Sequence, residues 1–183
     1  MASRYDDELW QLAPEEPGPP PAHLLDFVRS LGPAGAALDL GCGDGRLTAA
    51  LDARELTAAD VSAVALERAS RRLSRARLIE LEPDEPLPLE DNAFDLVLCA
   101  QTIEHVRDVQ LFLSEARRVL LPGGELALAT PAARRLGRPE DPFSPHLHRF
   151  TRGSLPRVLG RLGFEVESLR RRAGTFLVSA RRP

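Results

Sequence analysis

Seven consecutive residues, Asp39-Leu40-Gly41-Cys42-Gly43-Asp44-Gly45, have the makings of a ligand-binding turn. Glycines between a strand and a helix let the backbone approach a ligand closely and turn without a side-chain clash. The spacing is G-x-G-x-G preceded by an acid. The dinucleotide pattern G-x-G-x-x-G fails at its third glycine, where Arg46 stands. Such a turn suits a ligand with a carboxylate and an ammonium better than one with a pyrophosphate, and it also serves to join strand to helix for packing alone. Asp60, at the end of the next strand candidate, can accept both hydroxyls of a ribose. It reads equally as a capping acid ahead of Ser62. The order of the two features decides between these roles, because turn and acid fall at the ends of neighbouring strands, on one edge of a sheet. Further on, Glu104 and His105 form an adjacent acid and imidazole able to move a proton near neutral pH, or to cap and pack the following helix. His146 and His148 lie in a proline-rich loop of the kind that lines substrate pockets or simply meets solvent.

These residues need a scaffold, and apolar periodicity supplies one. Leu24, Phe27, Val28 and Leu31 recur at helical spacing after the proline-rich stretch 14–21, which reads as a linker. Strands are expected at 36–40, 55–59, 77–81, 94–100 and 125–130. A helix-like stretch covers 46–51, another follows a Ser62 cap, and Val109, Phe112, Leu113, Ala116, Val119 and Leu120 mark the clearest helix. Phe94 to Ala100 is the most apolar strand, as expected of one buried on both faces. Pro122-Gly123-Gly124 reads as a turn, and Leu155, Val158, Leu159 and Leu162 form a late helix ending at Gly163. The segments 164–169 and 175–180 around Gly174 should pair as an antiparallel hairpin. The fold class is α/β, a doubly wound and mostly parallel seven-stranded sheet closed by that hairpin. Residues 1–21 are read as an N-terminal extension with its linker, and 22–183 as one domain.

Composition narrows the setting. A chain of 183 residues buries one good core, and no run of about 18 apolar residues offers a membrane span. The acidic N-terminus lacks the order of a signal peptide, so a cytoplasmic address is expected. Cys42 and Cys99 lack zinc-site spacing and are expected as buried free thiols. A formal charge of -3 gives no reason to expect a nucleic-acid partner. Arginines at 134, 135, 138 and 170–172 make one surface basic, but every basic residue of the chain is arginine, which points to compositional bias.

Taken together, 39–45, Asp60-Val61-Ser62, Phe94-Asp95-Leu96-Val97, Ile103-Glu104-His105-Val106 and 118–125 resemble, in order, the segments of the class I S-adenosylmethionine-dependent methyltransferases. They look most similar to the small-molecule branch that includes ubiquinone-biosynthesis and natural-product enzymes. The resemblance implies that Asp39, Gly41, Gly43 and Gly45 hold the methionine part of S-adenosylmethionine, that Asp60 binds its ribose, and that Val61 lies against the adenine. The family's acid for the adenine amino group falls at Pro83 here, which moves that role to Asp84, and Gln101 would touch the cofactor or the acceptor. Glu104 and His105 are the catalytic candidates for a small-molecule acceptor attacked at oxygen or nitrogen.

Three other readings have sequence features of their own. Arg46 counts against a nicotinamide-dependent dehydrogenase. A binding module that holds S-adenosylmethionine without turnover fits the same glycine turn. The stretch 101–105, with His148, resembles the metal motif of RNA 3'-terminal 2'-O-methyltransferases, but Gln101 replaces its first acid, so the expectation is that no metal is bound.

Overall fold

In the computed structural model, the described residues are 2–15, 17–133 and 146–183. Helices α1 (Ala2–Leu12) and α2 (Ala22–Arg29) precede strand β1 (Ala34–Leu40). Then follow β2 (Ala53–Asp60), α3 (Ala63–Ser70), β3 (Arg77–Glu80), β4 (Phe94–Ala100), α4 (Val109–Val119), β5 (Leu120–Pro131), α5 (Ser154–Arg161), β6 (Glu165–Arg172) and β7 (Thr175–Arg181). One seven-stranded sheet has the order β3-β2-β1-β4-β5-β7-β6. Its pairs are parallel from β3 through β5, and β7 runs antiparallel to both β5 and β6. This is the doubly wound sheet with a terminal hairpin that the sequence predicts.

β4 occupies the centre, and six of its seven residues are buried. Alternation sorts its side chains, with Val97 and Cys99 packing among Leu113, Ala116, Leu155 and Leu159 of α4 and α5. Leu96 and Leu98 face the opposite way, towards Leu24 and Val28 of α2. The start of the neighbouring strand is clamped by Asp95, whose two carboxylate oxygens accept from the N–H groups of Gly35 and Ala36 at 3.1 and 2.9 Å. Both cysteines are free and buried.

Two expectations need correction. The stretch 46–51 is not a helix: only Thr48–Ala50 forms a single 3-10 turn. The connection from Leu40 to Ala53 must return along a seven-residue strand, roughly 23 Å, and six residues wound as helix would advance only about 9 Å. The strand expected at 125–130 begins earlier, at Leu120, because Pro122-Gly123-Gly124 is not a free turn. Gly123 donates to the Arg182 carbonyl at 2.7 Å, and Arg182 donates back to Gly124 at 2.9 Å, which holds this stretch against the end of β7.

Of the expected basic surface, Arg170, Arg171 and Arg172 lie exposed on the edge strand β6, where charge discourages pairing with another sheet. Arg134, Arg135 and Arg138 lie outside the described residues.

Candidate functional site

The parallel strands deliver their C-terminal ends to one edge of the sheet, and the candidate residues collect there. Asp39 is the penultimate residue of β1, Asp60 the last of β2, and Gln101 to His105 follow β4 directly. Gly41, Gly43 and Gly45 have φ values of 84°, 53° and 78°, backbone that residues with a Cβ rarely adopt. Gly41 and Cys42 donate to the Ala59 carbonyl at 2.8 and 3.0 Å, which binds the glycine turn to the end of β2.

Asp60 draws the same two segments together. Its Oδ2 accepts from Gly43 N–H at 2.8 Å and its Oδ1 from Ser62 N–H at 3.0 Å. Burial pushes its carboxyl above the usual carboxylate range, and these backbone donors oppose the rise. Ser62 caps α3 by accepting from Ala65 N–H, so the capping and ligand-binding readings of this stretch are compatible. Val61 N–H is a third backbone donor, which leaves about one of the four carboxylate lone-pair sites open.

Asp39 is more deeply enclosed. Thr48 donates to its Oδ2 at 2.6 Å, whereas Oδ1 is buried with no partner among the described residues. Burial raises this carboxyl to about 7, the Thr48 hydroxyl works against the rise, and the nearby Asp60 charge adds to it. A second orphan is the buried Nε2 of Gln101, which also lacks a partner among the described residues. Gln101 itself sits at φ 59°, unusual for a residue with a side chain. A buried acceptor and a buried donor, both unsatisfied and both at strand ends, are what a bound amino acid moiety would satisfy.

The structure adds residues for which the sequence reading found no role. Thr102 packs so closely on the turn that a Cβ at Gly41 would lie 2.3 Å from its Cγ2. Helix α1 covers the glycine turn: the Trp10 ring sits where a Cβ of Gly43 would point, and Asp7 accepts from the Ser62 hydroxyl at 2.6 Å and from Val64 N–H at 3.2 Å. Arg68 stacks over Trp10 at 5.7 Å and donates to the carbonyls of Ala13 and Pro14. The i, i+3 spacing of Asp7 and Trp10 was the available signal, because it puts both on one helix face. Asp44 is buried against Arg46 and Arg72, so Arg46 is a partner of the turn's own acid.

Val61 is partly buried against the main core. Asp84 sits at φ 60°, with its carboxylate 3.5 Å from Arg107, on an exposed bend.

Beyond β4 a second cluster forms. Glu104 is 1% exposed, and its Oε2 accepts from the Thr130 hydroxyl at 2.9 Å. Burial lifts its carboxyl to about 7. His105, on the surface, meets the ring of His146 edge to face at 5.0 Å. His148 N–H donates to the Glu104 carbonyl at 3.0 Å, and its buried Nε2 has no partner among the described residues. Of the four histidines, His105, His146 and His148 thus collect around Glu104. His23 lies elsewhere, bonded to Thr175 beside a groove of about 730 Å3 between α2 and the hairpin.

Residues 38–128 match the methyltransferase-domain family. The chain is 37% identical over 110 residues to an uncharacterized methyltransferase of Mycobacterium tuberculosis, covering 58% of this chain and 55% of that protein. It is 35% identical over 100 residues to the 27-O-demethylrifamycin SV methyltransferase of Amycolatopsis mediterranei, covering 50% and 36%. The matches therefore span about a third to a half of these relatives' own lengths. Among solved structures, an S-adenosylmethionine-dependent methyltransferase from Aquifex aeolicus shares the fold, with a TM-score of 0.73 at 19% identity over 96% of this chain and 97% of that one.

Proposed function

The chain belongs to the class I S-adenosylmethionine-dependent methyltransferases, and we propose that it transfers the cofactor's methyl group to a small-molecule acceptor at oxygen or nitrogen, in the cytoplasm. Among the described residues no helix is long and apolar enough to cross a membrane. The unpartnered Asp39 Oδ1 carries this reading: it is a buried acceptor, with no donor among the described residues, beside three glycines of left-handed backbone. The ammonium of the methionine moiety supplies the missing donor, Gln101 Nε2 the donor for an acceptor group, and Asp60 the carboxylate for the ribose hydroxyls. Val61 and Asp84 are assigned to the adenine.

When bound, S-adenosylmethionine supplies a methyl group on a positively charged sulfur. Its transfer disperses charge and needs in-line approach and exclusion of water more than strong acid or base assistance. The chain's own contribution is accordingly positional. The glycine turn fixes one end of the cofactor, α1 covers it, and Thr102 links the turn to the acceptor side. Glu104 and His105 remove the proton that an oxygen or nitrogen nucleophile must lose. The relative from Amycolatopsis is named for a small-molecule substrate, which favours a small acceptor here.

Calorimetry tests the central step. S-adenosylmethionine and its demethylated product should bind in the low micromolar range or tighter, about 8 kcal/mol or more. Absence of both heat and thermal shift with either ligand would remove the proposal.

A further inference from the structure

We propose that Glu104, His105 and His146 form a binding site for one divalent transition-metal ion on the acceptor side of the sheet edge. One ligand atom from each of the three residues can be chosen so that all lie within 4.8 Å of one another. A four-coordinate ion with bonds of about 2.0 to 2.2 Å holds its ligands roughly 3.4 Å apart. Closing the remaining distance asks about 1 Å of movement, which side-chain rotation at the exposed His105 and the half-buried His146 supplies.

The surrounding structure is built to hold these three residues. Thr130 donates to one oxygen of Glu104 and so orients the carboxylate, as hydrogen-bonded neighbours of metal ligands do. The segment bearing His146 is fastened close by: His148 N–H donates to the Glu104 carbonyl, and Ala133 N–H donates to the Phe150 carbonyl at 2.9 Å. Phe150 itself is buried in the main core. The expectation that no metal is bound rested on Gln101 standing where an acid was wanted. The fold brings in a different third ligand, His146, from the far side of β5.

The donor set selects the ion. Two imidazoles and one carboxylate suit zinc, cobalt, iron or manganese, whereas magnesium and calcium prefer oxygen throughout. Three protein ligands leave at least one position open, the arrangement of a catalytic rather than a structural site. Thr102, two residues before Glu104, packs against Gly41, so the three residues adjoin the glycine turn through the chain. In the proposed reaction, on which this last role rests, an acceptor oxygen or nitrogen at that position loses its proton to water, and Glu104 and His105 then act as ligands in place of proton acceptors.

The experiment uses chelator-stripped full-length protein titrated with Co(II), followed by its visible absorption and by calorimetry, with Zn(II) and Mg(II) in parallel. One equivalent of Co(II) should bind with d–d bands of a four- or five-coordinate site, and Mg(II) should bind roughly a hundredfold more weakly. His146→Ala, in a half-exposed segment where the fold should tolerate it, and Glu104→Gln should each weaken Co(II) binding roughly tenfold or more. His23→Ala should leave it unchanged. Absence of the bands, equal binding of Mg(II), or unaltered Co(II) binding in His146→Ala would overturn the site. The demethylated cofactor is titrated into the same samples, so a missing metal site with intact cofactor binding sinks this inference alone.

Discussion

The two halves of the sheet edge are built from different materials. On the proposed cofactor side the geometry belongs to the backbone: three glycines at positive φ, and N–H groups of Gly43 and Ser62 gathered by one carboxylate. On the proposed acceptor side it belongs to side chains, with Glu104, His105 and His146 arriving from two segments separated by β5. Backbone geometry leaves a short-range trace in the sequence because only certain residues adopt it. A meeting of side chains from distant segments leaves none. It follows that substitutions should injure the first half through shape and binding, and the second through chemistry.

The sharpest test of that contrast is Gly41→Ala. The new Cβ would lie 2.3 Å from Thr102 Cγ2 in backbone of φ 84°. Strained backbone and overpacking together should cost roughly 3 to 4 kcal/mol of stability and abolish measurable cofactor binding. A melting temperature like the parent's would show that the turn is soft and the contrast mistaken. Pairing it with Thr102→Ala should recover part of the loss.

Next in size is Asp60→Ala, which should weaken binding of S-adenosylmethionine by about 1.5 to 3 kcal/mol through loss of hydrogen bonds to a charged acceptor. Parent-like affinity in calorimetry would reduce Asp60 to an organiser of Gly43 and Ser62. His105→Ala belongs to the other half and should behave differently. We expect kcat to fall roughly tenfold, about 1.4 kcal/mol, with cofactor affinity unchanged. A matching loss of cofactor affinity would mean that the two halves are not separable.

The last effect concerns Asp39 and is read on stability alone. Its folded carboxyl titrates near 7 against an ordinary 3.8, so the folded state holds the extra proton between those values. The stability contributed is fully present below about 4 and is lost as pH rises through 7. Asp39→Asn removes that loss, and its melting temperature relative to the parent should rise between pH 4 and pH 8, by roughly ten degrees. An unchanged difference across that range would show that Asp39 is ionised in the fold. Asp60, buried alongside and also raised, pulls the parent's own curve in the same direction.

The sequence was legible where pattern and chemistry coincide. The apolar stretch 94–100 is the central strand, the face of Val109 to Val119 is a helix, and Gly174 lies at the tip of the antiparallel hairpin. The turn with Asp60 could be read because glycine spacing and strand ends are local features. Residues 46–51 misled because helical spacing of apolar side chains ignores the distance a connection must cover. The spacing of Asp7 and Trp10 marks one face of α1 but not what that face covers, since Trp10 finds its place over Gly43 by packing against α3. His146 could not be placed beside His105 because their meeting depends on β5 and on the bond from His148 to Glu104.

The place of β7 between β5 and β6 bears on how the chain is made. On the ribosome, β5 emerges beside β4 with its other edge open, and its permanent neighbour has not yet been synthesised. An open strand as apolar as Leu126 to Ala129 is a template for pairing with a neighbouring nascent chain. The segment from 132 through α5 and β6 must be translated before β7 can slot in and close that edge. Slow codons or stalling in this interval would therefore lower the yield of native protein more than equal delays before β4, and supplying chaperone in a cell-free synthesis should recover it.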